Sequence, residues 1–118
     1  MLAVACICVN QAEVERLVAA GIDVNVMQSG RTPLLLAAEA GRAEIVDALV
    51  AAGAKLNVFN RDGMTPLQVA CLEGFHAVVE KLIAAGANVN APSREGDTPL
   101  LIAARKEHTK VMATLLAA

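Results

Sequence analysis

The sequence predicts a mainly α-helical solenoid, in which helix-turn-helix units stack on one another and β-hairpin loops join them. The tripeptide Thr-Pro-Leu begins at Thr32, Thr65 and Thr98, and both intervals are 33 residues long. A fixed period of this length is typical of one supersecondary unit stacked on copies of itself. The composition agrees, because 56% of the 118 residues are hydrophobic but only 2% are aromatic. A core of small and aliphatic side chains suits closely packed helices.

Each of the three copies with Thr-Pro-Leu encodes the start of its first helix. A glycine stands two residues before each repeated threonine, at Gly30, Gly63 and Gly96, where it allows the positive φ of a tight hairpin turn. The threonine is expected to cap the helix by accepting a hydrogen bond from a backbone N–H. Proline then occupies the first helical position, where its missing N–H has no cost.

The pattern of apolar residues predicts two short helices in each unit. Leu34 and Ala37, with their counterparts in later units, lie three residues apart and so share one face of the first helix. Gly41 is placed to end that helix. The second helix carries a broad apolar stripe, such as 45–46 and 49–50, which can contact both its sister helix and a neighbouring unit.

The period divides the chain into four units within one domain, 1–118. The units are a partial N-terminal copy at 1–26, two full copies at 27–59 and 60–92, and a truncated C-terminal copy at 93–118. The first copy lacks Thr-Pro-Leu, but its residues Val14 and Gly21 match Val46 and Gly53.

These motifs resemble the ankyrin repeat, whose signature includes Thr-Pro-Leu-His on a 33-residue period. Gly-x-Thr-Pro-Leu-x-x-Ala recurs in three copies, and Gly-Ala-x-hydrophobic-Asn closes two of them. The family histidine is replaced by Leu35, Gln68 and Leu101, so we expect each unit to be less firmly braced. Glu107 stands where the period places a glycine, which leaves the geometry of that turn open.

The resemblance implies a non-catalytic module that binds a protein partner through its hairpin tips and the concave face of its first helices. These positions also differ most between copies, whereas the framework positions agree. The hairpin-tip candidates are Gln28, Ser29, Arg31, Arg61, Asp62, Met64, Arg94, Glu95 and Asp97. The first-helix candidates are Glu39, Leu72, Glu73, Arg105 and Lys106.

Two pairs of candidates suggest specific chemistry. Arg61 and Arg94 occupy the same position in successive units, which favours neighbouring guanidinium groups that meet a carboxylate of the partner. Replacing both with alanine is then expected to weaken partner capture and leave thermal stability unchanged. Met64 and Leu72 are the candidate apolar anchors. The alternative for each residue is an ordinary solvated turn or surface side chain.

The three cysteines indicate neither a disulfide framework nor a zinc site. Their number is odd, and Cys6-x-Cys8 does not have a zinc-ligand spacing. Cys6 and Cys71 stand where other copies have alanine, so both are expected to be small buried hydrophobes. Cys8 lies at a variable position and is the thiol whose reactivity we would test. The cysteine content therefore favours a reducing compartment.

Four polar residues outside the candidate strip are expected to be structural. His76 and His108 fall near the start of second helices, on the outward face, where we expect solvated side chains. Asn57 and Asn90 are expected to bond backbone groups within their own loops.

The sequence argues against several classes of function. The net charge is −2, whereas nucleic-acid binding normally needs a basic stripe. The apolar runs are too short to cross a bilayer. No phosphate-binding glycine loop, paired-histidine metal motif or nucleophile elbow is present. We therefore expect no enzyme activity, cofactor or metal, and a soluble cytoplasmic or otherwise intracellular protein.

Two alternatives to an independent interaction module remain open. The chain can be a structural segment of a longer ankyrin array, or a derived or designed scaffold with no partner of its own. Solenoid ends normally carry polar capping units, yet both 1–4 and 115–118 are apolar. This favours a longer array, or self-association through the ends.

Overall fold

A computed structural model describes residues 16, 19–21, 25 and 32–118, and three pairs of helices fill the range 32–118. The first helices of the pairs pack against one another in one row, and the second helices form a parallel row behind them. The predicted mainly α-helical stack of helix-turn-helix units is confirmed. In chain order the helices are α1 (Pro33–Ala40), α2 (Ala43–Ala51), α3 (Pro66–Glu73), α4 (His76–Ala84), α5 (Pro99–Arg105) and α6 (Thr109–Ala117).

The three first helices begin as predicted. The hydroxyl oxygens of Thr32, Thr65 and Thr98 accept hydrogen bonds from the backbone N–H three residues later, at 3.3, 3.3 and 3.4 Å. Proline follows each threonine at the start of the helix. The repeated Thr-Pro pair therefore fixes where α1, α3 and α5 start.

The loops that join the units are hydrogen-bonded turns. The N–H of Asn60 donates to the carbonyl of Met64 at 2.9 Å, and the N–H of Ser93 donates to the carbonyl of Asp97 at 2.8 Å. Within residues 32–118 these contacts do not extend into β-strands. The predicted hairpins are thus narrow tips that project between helix pairs.

The core is aliphatic and continuous through the three helix pairs. Leu34, Ala37 and Ala38 of α1 are fully buried. Cys71 is fully buried too, and this burial raises the pKa of its thiol to about 12. The prediction for Cys71 is confirmed, whereas Cys6 and Cys8 lie outside the described residues.

In the second and third helix pairs, a ring at the start of the second helix packs on the turn between the helices of the preceding pair. Gly41 has φ +72°, and a Cβ there would lie 3.0 Å from the ring of Phe75. Gly74 has φ +76°, and a Cβ there would lie 2.6 Å from the ring of His108. The Nε2 atom of His108 also lies 3.1 Å from the carbonyl oxygen of Leu72. The prediction of a solvated His108 is therefore wrong, because the ring links two units.

His76 also connects neighbouring units. Its Nε2 atom lies 2.7 Å from the hydroxyl of Thr114 on α6, and 3.1 Å from a carboxylate oxygen of Glu80. The side chain is about one-third exposed, at 36%. It is thus partly solvated as predicted, but it bridges α4 and α6.

Glu107 keeps the turn geometry that glycine has in the other units. Its φ of +59° is the single positive value for a residue other than glycine among the described residues. This left-handed conformation costs a residue with a Cβ about 1–2 kcal/mol. The turn before α6 therefore retains its shape at a cost in stability.

Gln68 replaces the bracing that the missing histidine was expected to supply. Its side-chain oxygen accepts from the N–H of Thr65 at 3.0 Å, completing a capping box with the threonine hydroxyl. Its side-chain nitrogen donates to the carbonyl of Ala91 at 2.6 Å. The expectation of weaker bracing is wrong for this unit, since Gln68 ties α3 to the next loop.

The asparagine of the closing motif acts between units. The side-chain oxygen of Asn57 accepts from the N–H of Asn88 in the following loop at 3.1 Å. Asn25 makes the same contact with the N–H of Lys55 at 2.7 Å. The expectation that Asn57 bonds within its own loop is wrong, because its partner is one repeat away.

Candidate partner-binding groove

Hairpin tips and first helices enclose a groove made of two adjoining concavities. The larger has a volume of about 470 Å³ and the smaller about 230 Å³. Asp62, Met64 and Leu72 line both, so the two concavities adjoin at these residues. The larger is completed by Ser93, Arg94, Glu95, Asp97, Ile102, Arg105 and Lys106. The smaller is completed by Glu39, Asn60, Val69 and Glu73.

The hairpin tips are held in place by their first residues. The side-chain oxygen of Asn60 accepts from the N–H groups of Asp62 and Met64, at 2.9 and 3.0 Å. The hydroxyl of Ser93 accepts from the N–H of Asp97 at 3.3 Å. These side-chain bonds fix the direction in which each tip projects over the helices.

The floor of the groove is apolar and partly exposed. Met64 and Leu72 are intermediate in burial and pack against the core, while Ile102 is only 7% exposed. The core packs against one face of Met64 and Leu72, and the other face is accessible from the groove. This arrangement suits the insertion of an apolar side chain from a partner.

Charge is distributed unevenly along the groove. The smaller concavity is lined by Glu39, Asp62 and Glu73, and by no cationic side chain among the described residues. The larger has Arg105 and Lys106 on its helical side. Among the described residues, the charged side chains of the smaller concavity are therefore all carboxylates, and we call it the acidic end of the groove; the larger concavity carries both signs of charge.

The Arg94 side chain is exposed, but it bonds to a neighbouring part of the same chain. Its Nη2 atom donates to the carbonyl of Arg61 at 3.0 Å, and its Cβ lies 3.0 Å from the position that a Cβ on Gly63 would occupy. The side chain thus ties one hairpin tip to the preceding one. Alanine at Arg94 would remove this exposed hydrogen bond, and the unchanged stability expected of the Arg61 and Arg94 double variant stays a prediction.

Asp97 and Arg105 form an ion pair across the larger concavity. The Asp97 side chain is 14% exposed and that of Arg105 is 65% exposed. This pair joins the second hairpin tip to the end of α5. Glu95 and Lys106 are exposed at the rim, where a partner can reach them.

The structure brings together most of the residues that the sequence singled out. Among the described candidates, all line the groove except Arg61, which is exposed at the tip and contributes its carbonyl. Gln28, Ser29 and Arg31 lie outside the described residues.

Sequence reasoning missed four lining residues, Asn60, Val69, Ser93 and Ile102. A signal for two of them was available. Asn60 and Ser93 each precede a glycine by three residues, which is the pattern of a type I turn.

Residues 32–118 offer neither a metal site nor a membrane span. No three or more His, Cys, Asp or Glu side chains among the described residues are grouped to hold a metal ion. Every helix there falls short of the length and apolarity needed to cross a membrane.

Comparison with known proteins identifies the family. No curated protein matches the chain. The family described as "Ankyrin repeats (3 copies)" matches residues 1–60 and 53–118, which together span the whole sequence. Members of this family are generally non-catalytic and bind other proteins. The repeat motifs, the paired helices and this match agree, and the chain belongs to the ankyrin-repeat family.

Proposed function

We propose that this chain is a non-catalytic module that binds a protein partner in the groove between its hairpin tips and first helices. The observation that carries the proposal is the half-buried apolar floor of Met64 and Leu72 within a charged rim. Interfaces commonly place apolar anchors at the centre and polar groups around them. Most of the lining comes from positions that vary between the copies, such as Leu72 and its equivalent Arg105, whereas the repeated positions form most of the core.

Site-specific crosslinking tests this proposal. A photo-reactive amino acid replaces Glu95 at the groove rim, and in a control it replaces Ala113, which is exposed on α6 and does not line the groove. We expect position 95 to crosslink proteins from an extract of the source cells, and Leu72→Glu in the same chain to abolish these products. Equal products from both positions, or products that survive Leu72→Glu, would contradict the proposal.

A second candidate function is that of a structural segment that associates through the outer face of α5 and α6. Leu101 is 47% exposed and Leu116 is 70% exposed, whereas the equivalent Leu35 is fully buried. Ala104 is also exposed, while its counterpart Ala38 is fully buried. In the earlier units the next helix pair covers this face.

Light scattering over a concentration series tests the second candidate. Self-association would raise the mass with concentration, and Leu101→Gln together with Leu116→Gln would restore the monomer. A monomer at every concentration would exclude self-association through this face.

A further inference from the structure

We propose that the groove recognises a linear protein segment in which an aliphatic side chain lies next to a lysine or arginine. This inference rests on the proposed function and specifies the chemistry of its partner. It reverses the expectation from the sequence, in which a pair of arginines would meet a carboxylate. The reversal follows from how the charged side chains are used in the folded protein.

Most of the cationic side chains near the groove already form hydrogen bonds or ion pairs within the chain. Arg94 bonds the carbonyl of Arg61, and Arg105 pairs with Asp97. A partner carboxylate would have to compete with these contacts. Of the cationic side chains that line the groove, only Lys106 has neither an ion pair nor a side-chain hydrogen bond within residues 32–118.

The carboxylates at the acidic end are placed differently. Asp62 and Glu73 are exposed, line the smaller concavity, and form no ion pair within residues 32–118. Their charges add in a concave surface with apolar walls, which concentrates the negative potential there. A cationic side chain of the partner would gain charge-assisted hydrogen bonds at this place.

The apolar anchor lies next to these carboxylates. Met64 and Leu72 line both concavities, so an aliphatic side chain seated on them is adjacent to Asp62 and Glu73. Concavities of about 470 and 230 Å³ together leave room for several neighbouring side chains of one segment. A single extended segment can therefore place an aliphatic residue on the floor and a basic residue at the acidic end.

Selection from a displayed library of random peptides, panned on the full chain, tests this inference. We expect the enriched peptides to share an aliphatic residue beside lysine or arginine. An enriched peptide should bind Asp62→Lys/Glu73→Lys about tenfold more weakly, since two attractive contacts become repulsive. The same variant should enrich acidic peptides instead.

A matched variant separates local charge from net charge. Glu44→Lys/Glu80→Lys makes the same change in net charge on α2 and α4, outside both concavities. It should leave the affinity of the enriched peptide unchanged. Equal weakening by both charge variants, or no excess of basic residues in the enriched peptides, would overturn the inference. If the lysine variant fails to fold by circular dichroism, Asp62→Asn/Glu73→Gln replaces it, and unchanged affinity there is likewise contradictory.

The result also distinguishes this inference from the proposed function. Peptides that require Leu72, as judged by loss of binding to Leu72→Glu, but that show no preference for basic residues would reject the inference alone. A library that yields no peptide sensitive to Leu72→Glu would reject the groove as a docking site for linear segments, and the inference with it.

Discussion

Alanine at Gly74 should destabilise the protein through two separate effects. Gly74 has φ +76°, and an added Cβ would meet the His108 ring at 2.6–2.9 Å. The left-handed conformation costs alanine about 1–2 kcal/mol, and the stiffer unfolded chain offsets roughly 0.4–1 kcal/mol of this. Displacing His108 breaks its 3.1 Å contact with Leu72, which contributes about 1 kcal/mol. The expected total is about 2 kcal/mol.

Gly86 provides the matched control for backbone strain alone. Its φ is +98°, but a Cβ added there would have no atom within 4 Å. Gly86→Ala should therefore cost only the conformational part, about 1 kcal/mol. The difference between the two variants isolates the contact between units.

Urea denaturation followed by circular dichroism measures both effects. With an m-value of about 2 kcal/mol/M, Gly74→Ala should lower the midpoint by about 1 M and Gly86→Ala by roughly half of that. In a His108→Ala background, Gly74→Ala should cost no more than Gly86→Ala. Equal costs for the two glycines in the wild-type background, or an unchanged cost after His108→Ala, would refute the packing argument.

Three further predictions, two for substitutions and one for chemical modification, follow from the packing and hydrogen bonds of the same structure. Glu107→Gly should stabilise the protein by about 0.5–1 kcal/mol, because it removes a left-handed strain larger than the entropy it adds; an unchanged or lower urea midpoint would contradict this. Gln68→Leu should lower the free energy of unfolding by about 2 kcal/mol, since it leaves the N–H of Thr65 and the carbonyl of Ala91 without their partner. An unchanged free energy would mean that these bonds do not brace the unit. Cys71 should resist iodoacetamide in the folded protein at pH 8 and react when the protein is unfolded, as measured by peptide mass mapping. If the folded chain were modified as fast as the unfolded chain, the burial of Cys71 would be contradicted.

The Cys71 thiol also predicts a dependence of stability on pH. Its pKa rises from 9.0 to about 12 on burial. A group with a raised folded-state pKa stabilises the fold below its unfolded pKa and loses that contribution as pH rises toward the folded value. The urea midpoint should therefore fall between about pH 9 and pH 12, and this fall should be smaller in Cys71→Ala.

The local features of the fold could be predicted because single repeats encode them. Thr65 and Pro66 specify the start of α3 through a cap and a fixed φ, and neither requires another unit. The apolar spacing likewise predicts which side of a helix is buried, as Val78 and Val79 show.

The features that were missed depend on contacts between units. Gln68 reaches Ala91, and His108 covers Gly74, across distances that are long in sequence. Arg94 folds back on the preceding hairpin because that hairpin presents a carbonyl within its reach. A 33-residue period shows which positions are equivalent, but side chains at equivalent positions differ in length and in what they can bond.

The sequence predicted which positions form the candidate site better than it predicted the chemistry of that site. The variable positions do gather around one groove, which follows from their shared place in each unit. Which charges remain open to a partner depends on pairs such as Asp97 and Arg105, and only the folded chain defines those pairs.

Docking in the groove can be observed by nuclear magnetic resonance of the ¹⁵N-labelled chain, titrated with a peptide enriched in the library selection. We expect the amide signals of Met64, Leu72 and Lys106 to shift together and to saturate with one affinity. Shifts confined to the outer face of α5 and α6, around Leu101 and Leu116, would contradict docking in the groove and place the docking surface at the end of the stack.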